Sequence, residues 1–175
     1  MLGLQDTRTQ WITPGQLSQL TNSPEARAWL LERGSLTLRL RRQQPGLAVR
    51  IVNEGLGPLL PDEAIRLALP AHGQAWVREV TLHEGSLDLL QARTVIPDWS
   101  PANPWSELQR LGSRPLGEIL FSDSGLERSE FEFTLGPGWR APETPQAPDR
   151  LARRCVYQRL GAPLLLTERF LQIEP

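Results

Sequence analysis

Two arginines and one glutamate carry the chemical signal in this chain. Arg78 sits in a β-rich run from Trp76 to Leu82, and Arg93 in a second run from Leu87 to Pro97, with Gly85 in the short turn between them. Such a pair reads as an antiparallel hairpin. A turn near Glu84 and Gly85 is expected to bring Arg78 and Arg93 together on one face, opposite or diagonal. Two guanidinium groups among Trp, Leu and Val repel each other unless something anionic lies between them. Either acidic side chains supply that charge, or the pair lines a pocket for a small anion with two acidic groups. In a later run, Leu164, Leu166, Glu168 and Phe170 share a face by alternation, so Glu168 is a carboxylate in line with core residues. Burial of a carboxylate is costly without a partner. That partner is either a structural arginine or a ligand. A third element is Pro115 at the start of a short helical run, which leaves the Leu116 and Gly117 amides free to meet a carboxylate, water or a local side chain.

Other chemistries are poorly provided for. All 19 basic residues are arginine, so lysine Schiff bases and lysine-anchored cofactors are excluded. His72 and His83 have no Cys or His at ligand spacing, and no metal site is expected. Gly55-Leu-Gly57-Pro58 lacks the third glycine of a dinucleotide fingerprint. The single cysteine, Cys155, allows no internal disulfide and reads as a buried thiol in a strand. A net charge of −1 argues against nucleic-acid or anionic-membrane binding. There is no apolar run of membrane-spanning length and no signal-like N-terminus, so a cytoplasmic location is expected.

The elements that must position these residues fit one domain over residues 1–175. Ser23-Pro24-Glu25 starts a helix that ends at Gly34. The segment 35–42 is ambiguous by period between strand and helix. Leu47–Glu54 reads as a strand closed by Gly55, and 56–73 as a connection with one helical turn from Asp62 to Leu67. Asn103-Pro104 caps a short helix, and Arg114–Phe121 forms another. Leu126–Leu135 alternates as one strand, residues 136–150 form a Pro-rich exposed loop, and a last hairpin turns at Gly161.

Four blocks in register resemble the chorismate pyruvate-lyase family: Trp76-Val-Arg-Glu-Val, Ala92-Arg-Thr-Val-Ile-Pro97, Leu111-Gly112-x-x-Pro-Leu-Gly117 with Leu120-Phe121, and Pro163-Leu-Leu-Leu-Thr-Glu-x-Phe-Leu171. The resemblance runs from about residue 29 onward. It implies an α+β fold, a single antiparallel sheet of about six strands with peripheral helices and helical flaps over a buried site. On that basis segment 35–42 is a helix. The family's ligand contacts fall on Leu36, Arg78, Leu116 and Glu168, with Arg93 as a second arginine; position 36 is leucine where the best-known members have methionine, a near volume-conserving change. Its reaction turns chorismate into 4-hydroxybenzoate and pyruvate for ubiquinone synthesis. Aromatisation drives that elimination, so no cofactor is expected. Arg78, Arg93 and Glu168 are the expected catalytic groups, chorismate and 4-hydroxybenzoate the expected partners, and a monomer the expected state. The competing reading is a non-catalytic aromatic-acid binder like the ligand-binding domains of GntR-type regulators, which share the fold. Those carry a winged-helix DNA-binding domain, for which the roughly 25 residues before the first block are expected to be too few.

Overall fold

The computed structural model describes residues 10–139 and 148–175. Its frame is an antiparallel sheet of seven strands: β1 (Ala48–Pro58), β2 (Gln74–Glu84), β3 (Leu87–Pro97), β4 (Glu127–Arg128), β5 (Glu132–Gly136), β6 (Arg150–Arg159) and β7 (Ala162–Phe170). The spatial order is β1-β2-β3-β7-β6-β4, with β5 also paired to β6. Two long hairpins, β2–β3 and β6–β7, therefore meet at the centre through β3 and β7.

Among the described residues four short α-helices complete the frame: α1 (Pro24–Leu30), α2 (Leu36–Gln43), α3 (Pro61–Arg66) and α4 (Gly117–Leu120). Ser23 caps α1 by accepting the Ala26 amide at 3.3 Å, and Ser35 caps α2 by accepting the Leu38 amide at 3.2 Å. The segment 35–42 is thus helical, and its Leu36 and Leu40 are buried. The larger core lies on the sheet face covered by α1, α2 and α4, and includes Trp29, Leu36, Trp76, Trp105, Phe133, Leu164 and Leu166. A smaller cluster under α3 holds Ala64, Val77, Val95, Val156 and Leu165 on the other face. No helix among the described residues is long and apolar enough to cross a membrane.

Several boundaries differ from the sequence reading. β1 does not stop at Gly55 but continues to Pro58, paired residue by residue with β2. The short helix after Pro104 is a 3-10 turn over Ser106–Arg110. The strand expected over Leu126–Leu135 is broken in two. Ser129 takes over at the break, its hydroxyl accepting the Val156 amide at 2.9 Å and its own amide donating to the Val156 carbonyl at 2.9 Å. Of the Pro-rich loop 136–150, residues 140–147 lie outside the described residues.

The consequential difference is in the β2–β3 register. Next to the turn, Glu84 pairs with Leu87 and His83 with Asp88, a register that would set Arg78 opposite Arg93 if it continued. It does not continue. An extra residue on β3 lets Leu82 pair with Leu90, so Arg78 faces Thr94 and Arg93 faces Glu79. A one-residue slip turns every later side chain to the other face. The expected Arg78–Arg93 pair is therefore absent: the two lie on opposite faces of the sheet.

Candidate active site

On the face covered by the helices, the strands set out two adjacent rows. Arg78, Thr94, Leu166 and Cys155 are neighbours across β2, β3, β7 and β6; Val80, Ala92, Glu168 and Arg153 form the next row. Arg78 and Glu168 thus stand two strands apart, about 10 Å by strand spacing. Between them lie only the small Ala92 and Thr94. That change in side-chain size leaves a recess of about 630 Å³, mouth included, whose lining includes Arg78, Glu168, Leu36 and Leu116. Leu36, at the first turn of α2, and Leu116, at the start of α4, close over the sheet from two separate segments. The closure is tight at Gly117, where a Cβ would come within 3.1 Å of Ser35 Oγ.

Arg78 is almost wholly buried, at 2% exposure. Its guanidinium donates through Nη1 to Glu54 Oε2 and through Nη2 to the Gly112 carbonyl at 2.5 Å. Glu54 lies on β1, directly opposite Arg78, and is partly open to solvent. These two bonds engage two of the five guanidinium N–H groups and fix its plane. At the other end, Glu168 Oε2 accepts from Arg153 Nε at 2.8 Å. Arg153 is itself held by the carbonyls of Leu30 at 3.1 Å and Glu32 at 2.5 Å, with its guanidinium 4.3 Å from the Phe131 ring. Tyr157, also in the lining, has its phenol pushed up by burial first, and by the thiol of Cys155 and the carboxylate of Glu168 after that.

Arg93 is not part of this lining. Its Nε donates to Glu63 Oε1 at 2.7 Å, its Nη2 to Glu63 Oε2 at 3.0 Å and its Nη1 to Glu79 Oε1 at 2.6 Å. Here two acidic side chains supply the charge. Burial opposes the Arg93 charge, but the two glutamates outweigh it and the net shift is upward. Besides Arg78, the buried arginine that shares the recess with Glu168 is Arg153, which the sequence reading passed over. Its signal was present: a turn at Leu160–Gly161 sets position 153 directly against position 168. Arg114 lines the mouth and pairs with the exposed Glu118 at 3.1 Å.

A buried arginine and a tethered carboxylate facing each other across a small apolar floor suit an elongated ligand with an acidic group at one end and a hydroxyl at the other. The profile of the chorismate lyase family matches residues 5–174. The chain belongs to the chorismate lyase family. A relative from Hydrogenovibrio crunogenus, described as "Probable chorismate pyruvate-lyase", is 36% identical over 166 residues, which is 93% of this chain and 90% of that one. One from Methylococcus capsulatus with the same description is 38% identical over 151 residues, 82% of this chain and 93% of that one. Among solved structures, the effector domain of PhnF from Mycobacterium smegmatis shares the fold with a TM-score of 0.53 at 15% identity, covering 81% of this chain and 91% of that one. A GntR-family transcriptional regulator from Bacillus cereus does so with a TM-score of 0.51 at 10% identity, covering 74% and 96%. At such identities the likeness is one of fold alone. The chorismate lyase family membership rests on the sequence relatives.

Proposed function

We propose that this chain converts chorismate to 4-hydroxybenzoate and pyruvate, and that it does so by positioning and electrostatics. The observation that carries this reading is the placement of Arg78 and Glu168 at opposite ends of one covered recess. Arg78 takes the ring carboxylate through N–H groups that Glu54 and Gly112 leave free. The Leu116 amide, ahead of the first intrahelical bond of α4, supports the same carboxylate. The ring lies over Ala92 and Thr94, under Leu36. Glu168 holds the C4 hydroxyl. In the reaction the C4–H electrons enter the ring, the C3–O bond breaks and the hydrogen ends on the methylene carbon of the enolpyruvyl group, which leaves as pyruvate.

Because C3 neighbours C4, the enolpyruvyl carboxylate falls at the Glu168 end. Arg153 lines the recess there, and Arg93 does not. The role of stabilising the departing group therefore passes from Arg93 to Arg153. The test is incubation of the purified chain with chorismate in the presence of a chelator, following 4-hydroxybenzoate absorbance and pyruvate together. Equal yields of the two are expected. A chain that bound 4-hydroxybenzoate but left chorismate intact would instead be a binding module, the reading favoured by the fold it shares with transcription regulators.

A further inference from the structure

Five arginines are buried among the described residues: Arg78, Arg93, Arg153, Arg154 and Arg169. Four of them are paired with carboxylates, Arg78 with Glu54, Arg93 with Glu63 and Glu79, Arg153 with Glu168, and Arg154 with Asp62 and Glu132. Arg169 is the exception. At 6% exposure its Nη1 donates to Gln91 Oε1 at 3.1 Å and its Nη2 to the Pro148 carbonyl at 2.7 Å, both neutral acceptors. Its Nε is buried without an acceptor. No carboxylate among the described residues lies within salt-bridge distance. A buried charge with neutral partners only is costly. Burial and the neighbouring Arg150 both weaken its hold on the proton, and Asp149 offsets only part of that.

Arg169 follows Glu168 on β7 and so points to the opposite face, away from the active-site recess. There the register lines up Thr134, Ala152, Arg169 and Gln91 across β5, β6, β7 and β3. Above this row is a second recess of about 470 Å³, mouth included, whose lining includes Trp11, Trp139, Arg150 and Arg169. Asp62 and Glu63 also line it, but their charges are met by Arg154 and Arg93. Trp11 is a fixed wall: its indole Nε1 donates to Asp62 Oδ2 at 2.8 Å, and the Arg154 guanidinium lies 4.2 Å from its ring. Arg150 is already engaged by Glu174 at 2.5 Å.

We propose that this second recess binds a small planar carboxylate, with Arg169 as its counter-charge and Trp11 and Trp139 as its walls. One uncompensated guanidinium matches one negative charge, and two indoles match a flat apolar body. Among the described residues a compact polyanion such as phosphate would find one free cation, and it would have no use for the indoles. The site is separate from the proposed reaction, since no residue of its lining belongs to the first recess.

The test is equilibrium dialysis of the full chain against benzoate. Two benzoate molecules per chain are expected, one at each recess. Arg169→Gln, which keeps hydrogen-bonding capacity for Gln91, is expected to weaken the second site by at least about tenfold and leave the first intact. Trp139→Leu is expected to weaken the same site by a smaller factor, and serves if Arg169→Gln fails to fold. A single benzoate per chain that is lost in Arg78→Lys overturns the proposal. So does a second benzoate that neither variant weakens, or one that inorganic phosphate displaces at equal concentration.

Discussion

Glu168 and Arg153 stand directly opposite each other on β7 and β6, carboxylate to guanidinium at 2.8 Å. The arginine is anchored by two carbonyls and a phenyl ring, so it acts as a fixed post for the glutamate. One carboxylate oxygen is thereby held, and the other is left for a ligand hydroxyl. Arg153→Met is expected to cost about 3–5 kcal/mol of stability, the usual consequence of breaking a buried pair. Arg153→Lys should fold but lose the planar fork. A purely structural role would leave its ligand preference unchanged. A positioning role lowers the ratio of 4-hydroxybenzoate to benzoate affinity, which calorimetry measures.

Arg78 and Glu168 separate by what each one holds. Arg78→Lys is expected to weaken 4-hydroxybenzoate and benzoate alike, by about 2–5 kcal/mol, because both ligands carry the carboxylate. Glu168→Gln is expected to weaken 4-hydroxybenzoate and spare benzoate, which has no hydroxyl. Equal losses for both ligands in Glu168→Gln would reverse the assigned orientation.

The difference between Arg78 and Arg93 shows what could and could not be read from the sequence. Alternation within a strand is local, so the faces of β7, the cap at Ser23 and the alignment of Glu168 with core residues were all legible. The extra residue in β3 is not local in that sense. It depends on Leu89 and Leu90 both turning toward the larger core, a demand set by tertiary packing. The break at Ser129 is of the same kind, since its hydroxyl answers a backbone amide 27 residues away. Arg153 was legible in principle from the hairpin turn, but four arginines in β6 gave no local reason to choose it.

Arg93 has a distinct expected signature as a result. Removing it leaves Glu63 and Glu79 as two buried carboxylates without their common partner. Arg93→Leu is expected to lose about 3–5 kcal/mol in urea denaturation. Its folded fraction should bind 4-hydroxybenzoate as the parent does. A loss of product affinity without a loss of stability would return Arg93 to the site.

The cover of the recess makes a kinetic prediction. Gly117 is in the seam between α4 and the start of α2, where an added Cβ would press on Ser35 Oγ at 3.1 Å. Gly117→Ala is expected to hold the seam open and speed product dissociation several-fold, with a smaller effect on single-turnover chemistry. The Arg41–Glu118 pair bridges the same two segments at 3.7 Å, but both side chains are about two-fifths exposed. Such a pair contributes at most about 1 kcal/mol, and Arg41→Ala should change dissociation far less. Stopped-flow release of 4-hydroxybenzoate distinguishes the two.

Cys155 gives the protein an alkaline limit. Its thiol is buried on β6, and burial first, then the Glu168 carboxylate, push it up from 9.0 to about 12, against a smaller opposing pull from Arg153 and Arg128. Below pH 9 the thiol is neutral in both folded and unfolded chains, so its contribution to stability is fully present. Between pH 9 and 12 the unfolded chain ionises and the folded chain does not, so stability falls by up to about 1.4 kcal/mol per pH unit from this group. Tyr157, raised in the same way on the same strand face, adds its own loss at higher pH. Urea denaturation of Cys155→Ala should therefore show a shallower decline than the parent between pH 9 and 11, with the tyrosine's share remaining. In the native parent at pH 8 the thiol should resist a disulfide reagent that modifies the unfolded chain at once. Equal rates in the two states would mean that the strand opens around Cys155 far more readily than its burial allows.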